Sequence, residues 1–203
     1  MFKKKINLEN FQTHVQTNVS FTSFMTAVTV FFTGLLLTSF QNFDQTVRVP
    51  IAFLIVSIFG FLFSTLIYTN AAIDISNNSE KGFQRSMVTG DIFSEYFGVY
   101  FLIVAIPLVI NVITGDVFLR TMTIIITLAG LMFYQYGHVS IIERHFRKKY
   151  QVLSLIILLL SATLYMAQIF GFLFSETSIV FILLLTAIAV KISRDRHGVW
   201  FEK

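Results

Sequence analysis

Six stretches of this chain carry no Asp, Glu, Lys or Arg: Asn10 to Phe43, Val49 to Ile73, Tyr96 to Gly115, Thr121 to Ile142, Gln151 to Ser175 and Thr177 to Val190. A helix rising 1.5 Å per residue needs about 20 apolar residues to cross ~30 Å of hydrocarbon. The first five stretches meet that length. The sixth is shorter, and spans only if Lys191 snorkels or the Ser175, Glu176, Thr177 turn dips towards the headgroups. A soluble domain of 203 residues could not hide such runs in a chain that is 55% hydrophobic. The expected architecture is therefore an all-α polytopic membrane protein. Its six transmembrane helices lie near 20–40, 49–72, 95–115, 121–142, 152–174 and 177–192, arranged as three hairpins in one transmembrane domain.

The cations sit between the spans, so the basic balance does not point to nucleic acid. Lys3, Lys4, Lys5, Lys81, Arg85, Arg144, Arg147, Lys148, Lys149, Lys191, Arg194, Arg196 and Lys203 fall on one side; only Arg48 and Arg120 fall on the other. The positive-inside rule then places both termini in the cytoplasm and the protein in the cell membrane. The opening MFKKK is not the start of a cleaved signal, because the apolar stretch begins some way downstream and is too long for an h-region. Residues 1–19 read as a basic segment, either interfacial, with Leu8, Phe11 and Val15 on one face, or a frayed tail; residues 193–203 read as a basic tail. Each outer turn has one acid, Asp44, Asp116 or Glu176, which either gathers cations or keeps the turn soluble, the second being preferred. The one extended loop expected is Asp74 to Asp91.

The heptapeptide IFGFLFS occurs at Ile58 to Ser64 and again at Ile169 to Ser175, an offset of 111 that carries the first span into the basic loop after the fourth. It reads as coincidence. An offset of 101 respects the span boundaries. It maps Thr22, Thr26, Thr29 and Thr33 onto Thr123, Thr127, Gly130 and Tyr134, with His138 continuing the second stripe, and suggests a weak 3+3 inverted repeat. Further polar stripes are Ser57, Gly60, Ser64 and Tyr68 in the second span and Ser161, Tyr165 and Gln168 in the fifth. Such stripes serve either close packing, each Thr hydroxyl returning to the carbonyl four residues back, or a wet solute path.

Pro107 removes a backbone donor from the third span, and Asn111 follows one turn later on the same face. Discontinuous helices of this kind coordinate substrate or ions in secondary transporters, and also serve shape alone. The candidate solute path is thus Thr22, Thr26, Thr29, Thr33, Pro107, Asn111, Tyr134 and His138. Asp91 is expected to cap the third span, and Glu95 is either an ion or proton site or a helix-terminal carboxylate held by the macrodipole.

No cysteine, phosphate loop, nucleophile elbow or histidine ligand series occurs, so neither a cofactor nor a metal nor an enzymatic activity is expected. The basic loop with Arg144, Arg147, Lys148 and Lys149 faces anionic headgroups or a partner, and Trp200 in the tail is an interfacial anchor. Two readings follow. One is a small-solute or ion transporter or channel, as a homo-oligomer or within a larger membrane complex because six thin helices enclose little space. The other is a non-catalytic subunit or scaffold that docks a partner through the inner loop and tail.

Overall fold

The computed structural model describes residues 8–43, 45–77, 79–143 and 149–201. Its elements are α1 (Leu8–Thr38), two 3-10 turns (Phe40–Asn42 and Gln45–Val47), α2 (Arg48–Ser76), α3 (Glu80–Ile92), a π-helix (Phe93–Val99), α4 (Tyr100–Ile113), α5 (Val117–Glu143), α6 (Lys149–Ile169) and α7 (Ser175–Phe201). The protein is all-α and crosses the membrane several times. Among the described residues four helical stretches are long and apolar enough to span: Gln12–Thr38, Arg48–Ser76, Glu80–Ile113 and Val117–Tyr134. The described parts of α6 and α7 add the shorter apolar stretches Leu155–Ile169 and Ser178–Ile188. Large side chains such as Phe24, Phe31, Phe59, Phe118, Ile126 and Phe133 are exposed, the pattern of helices whose outer faces meet lipid rather than water.

The helices begin and end where local chemistry dictates. Pro50 lies in the first turn of α2, where its missing N–H is no loss. Asp116 caps α5: its carboxylate accepts from the Leu119 N–H at 3.0 Å, while the Arg120 Nε donates to the Thr114 carbonyl at 2.6 Å and ties the short α4–α5 connection. The expected fifth span overran its end. α6 stops at Ile169, because Gly171 takes φ 73° and closes a Schellman turn, Phe172 N–H to Ala167 carbonyl at 2.7 Å and Gly171 N–H to Gln168 carbonyl at 3.1 Å. The two copies of IFGFLFS therefore differ in conformation. The first lies wholly inside α2 and the second supplies a helix stop and a turn.

The largest departure from expectation is the supposed loop from Asp74 to Asp91. α2 runs on to Ser76, and α3 starts at Glu80 after a tight connection organised by Asp74 and Ser79. Ser79 accepts from the Gly82 N–H at 3.3 Å, its own N–H donates to the Asp74 carbonyl at 2.9 Å, and the Asp74 carboxylate accepts from the Ser86 hydroxyl at 2.9 Å. α3 is helical because Phe83 and Met87, four apart, give it an apolar face. That face packs with Val15 and Val19 of α1 and Tyr68, Ala71 and Ile75 of α2. Residues 8–19 accordingly continue α1 without a break, and Val15 is buried.

By internal contacts the chain forms two compact units, residues 1–35 with 54–101 and 180–203, and residues 36–53 with 102–179. In the first, the stripe on α2 meets the third rod. In the second, α5 packs on α6, and α4 and α6 run parallel, since Tyr165 reaches the Val104 carbonyl and Gln168 the Leu108 carbonyl.

Candidate functional site

Within the first unit the polar stripe of α2 is a packing seam. The Ser57 hydroxyl donates to the Gly98 carbonyl at 2.8 Å, and the Ser64 hydroxyl to the Gly90 carbonyl at 2.8 Å. Between them Gly60 lets the backbone of the third rod approach so closely that a Cβ there would lie 2.4 Å from the Phe97 carbonyl carbon. Gly98 in turn faces the Phe61 ring, and Gly90 faces the Tyr68 ring. Small residues permit this approach, and in lipid close packing with interhelical hydrogen bonds is what holds helices together. Phe59, Phe63, Phe93, Phe97 and Phe101 run beside the seam with successive ring centroids 6.0, 6.1, 5.4 and 6.3 Å apart.

Two carboxylates lie along this seam. The buried Tyr68 hydroxyl donates to Asp91 Oδ1 at 2.6 Å. Asp91 is not an N-cap, and Glu95 is not at a helix end: the rod containing them runs for 34 residues, Glu80–Ile113, and the Ser79 cap lies three turns earlier. The contacts at Gly90 and Gly98 bracket Glu95, which falls level with Gly60 to Ser64 of α2. That level is the middle of the charge-free stretch Val49 to Ile73, about 20 Å from either end of α2. On its own rod Glu95 stands immediately before the charge-free stretch Tyr96 to Gly115. A carboxylate within a span is costly and is kept where it has a task. Glu95 also lies inside the π-helix, whose wide turn is closed by the Tyr100 N–H on the Glu95 carbonyl. π-turns are rare and recur at functional sites.

The threonines of α1 are engaged differently. Thr22, Thr26, Thr29 and Thr33 donate to the carbonyls of Asn18, Thr22, Met25 and Thr29 at 2.8, 2.8, 2.7 and 2.7 Å. Thr22, Thr29 and Thr33 are buried, and Thr22 alone also reaches across, to Thr65 at 2.7 Å. The stripe on α5 is not one buried face: Thr127 is buried, but Gly130 and Tyr134 are exposed.

In the second unit Pro107 is buried inside α4, whose helix continues past it. The carbonyls beside it take donors from α6: the Tyr165 hydroxyl on Val104 at 3.4 Å and the Gln168 Nε2 on Leu108 at 3.0 Å. The fifth-span stripe is thus joined to the third rod at its broken turn. Asn111 Oδ1 is buried without a hydrogen-bond partner, three residues past Leu108. Of His138, Lys149 and Trp200 only the helical backbone is described, and Arg144, Arg147 and Lys148 lie outside the described residues, as does Asp44. Sequence reasoning placed Tyr68 in a stripe and Asp91 at a cap, and so missed their pairing. A Tyr in an apolar span and an Asp at the edge of the next were the available signals. No family model matches the chain, and no curated protein or solved structure matches it.

Proposed function

We propose that the protein is a non-enzymatic transporter or channel for a small solute or ion, with Glu95 and the Tyr68–Asp91 pair as its proton- or cation-handling group. The observation that carries this reading is the placement of Glu95 level with the middle of a charge-free span, in a π-turn one helical turn beyond Asp91. Intramembrane carboxylates with a hydroxyl partner are the usual parts of proton relays and ion sites. Within the second unit, the unpartnered Asn111 Oδ1 beside the Pro107 break is an acceptor in its own right for a solute. In this reading the chain makes six spans with both termini in the cytoplasm of the cell. Its basic residues Arg144, Arg147, Lys148 and Lys149 lie against anionic headgroups, and it works as an oligomer.

The scaffold reading draws on the threonines of the α1 stripe, whose hydroxyls each bond a carbonyl of their own helix, Thr22 also meeting Thr65 of α2. Flux in proteoliposomes separates the two. Ion, proton and small-solute movement in the parent, lost in Glu95→Gln and reduced in Asp91→Asn and Asn111→Leu, is the expected result. Well-folded parent protein that moves nothing across a broad panel makes it a scaffold.

A further inference from the structure

The seam joins unequal lengths of chain. Ser57 and Ser64, seven residues apart on α2, bond to the carbonyls of Gly98 and Gly90, which are eight apart on the third rod. Seven residues of α-helix make close to two turns, but eight overshoot two turns by about 80°, which would carry one glycine off the seam. The π-helix Phe93–Val99 lies between these glycines, and its i→i+5 turn takes up one residue more than an α-turn. That is how Gly90 with Asp91, and Gly98 beyond the turn, face α2 together.

A rod with one residue fewer between Gly90 and Gly98 would need no such correction. Seven residues would face seven, all in α-helix, with both serine bonds, the Gly60 contact and the Tyr68–Asp91 bond retained. The fold alone therefore does not call for the extra residue. We infer that the residue in excess serves Glu95: the π-turn is a positioning device that sets the direction in which the Glu95 carboxylate leaves the helix in the middle of the span. Its functional consequence rests on the transport reading; its geometry does not. The residues of the turn, Ser94 and Tyr96 included, are then positioning residues, which touch no solute themselves.

Deleting one residue of the turn tests this directly. Deletion of Tyr96 is expected to leave a folded, monodisperse protein whose Tm in detergent lies within about 5 °C of the parent. Deletion of Leu62, on the lipid-exposed side of α2 between Ser57 and Ser64, leaves six residues against eight and is expected to abolish folded yield. In the folded Tyr96-deletion protein, labelling of Glu95 by dicyclohexylcarbodiimide and proteoliposome flux should each fall at least about tenfold, the scale expected when a positioned group is misdirected. A Tyr96 deletion that unfolds like the Leu62 deletion overturns the register account. One that folds and keeps parental labelling shows that the excess residue does not serve Glu95. Labelling that falls in a protein whose parent never shows flux sustains the positioning role and removes the transport reading instead.

Discussion

α1 and α2 carry the same signal in sequence, a stripe of small hydroxylated residues at helical spacing, and use it in opposite ways. On α1 Thr22, Thr26, Thr29 and Thr33 each bond to the carbonyl four residues back in their own helix, so the stripe is locally satisfied, and of these four Thr22 alone also meets another helix, at Thr65. On α2, Ser57 and Ser64 instead donate across to another helix, because Gly60, Gly90 and Gly98 let the two backbones come within reach. A stripe therefore reports packing by itself. It reports a specific helix pair only when glycines stand in it and opposite it.

Substitutions can break this contrast, in a definite order. Gly60→Leu should have the largest effect. Its Cβ has no room against the Phe97 and Gly98 backbones, and with overpacking at ~1–3 kcal/mol or more the folded yield in detergent should collapse. Tyr68→Phe comes next, since it takes a donor from the Asp91 carboxylate on the helix seam. A loss of ~1.5–3 kcal/mol is expected in reversible unfolding, and Asp91→Asn should cost less because it keeps an acceptor for the hydroxyl. Ser57→Ala and Ser64→Ala should each cost ~0.6 kcal/mol, up to ~1.7, as interhelical bonds in membranes do. Thr26→Val should fall within ~0.5 kcal/mol of the parent by the same measurement, its hydroxyl having served only its own helix. If Thr26→Val proved as costly as Ser64→Ala, the contrast between the two helices would be lost.

Much of the architecture is legible in the chain because membrane crossing is a matter of length and charge, and both are written plainly. The helices over Arg48–Ser76 and Val117–Tyr134 begin within a few residues of where the charge-free stretches begin. What the sequence hid has physical reasons. α3 holds Gly82, Gly90 and several charges, which read as a loop; it is helical because Phe83 and Met87 find Val15, Tyr68 and Ala71, a tertiary gain that local propensity does not announce. The end of α6 was masked because Phe172, Leu173 and Phe174 extend the apolar run past the Gly171 turn. The π-turn is invisible to any pattern read on one segment. It follows from a mismatch between two segments, seven residues against eight, and so needs the pairing of α2 with the third rod to be known. Glu95 reads as a helix end for the same reason that α3 reads as a loop; the rod in fact starts at Glu80, so Glu95 lies in its interior, level with Gly60 to Ser64 of α2.

The depth of Glu95 is the claim on which the functional account stands, and carbodiimide chemistry reads it most directly. Protein in lipid should be labelled at Glu95 by the lipid-soluble dicyclohexylcarbodiimide and spared by a water-soluble carbodiimide with an amine nucleophile, with the adduct absent from Glu95→Gln. Labelling of Glu95 by the water-soluble reagent alone would put the carboxylate at the membrane surface and contradict the account.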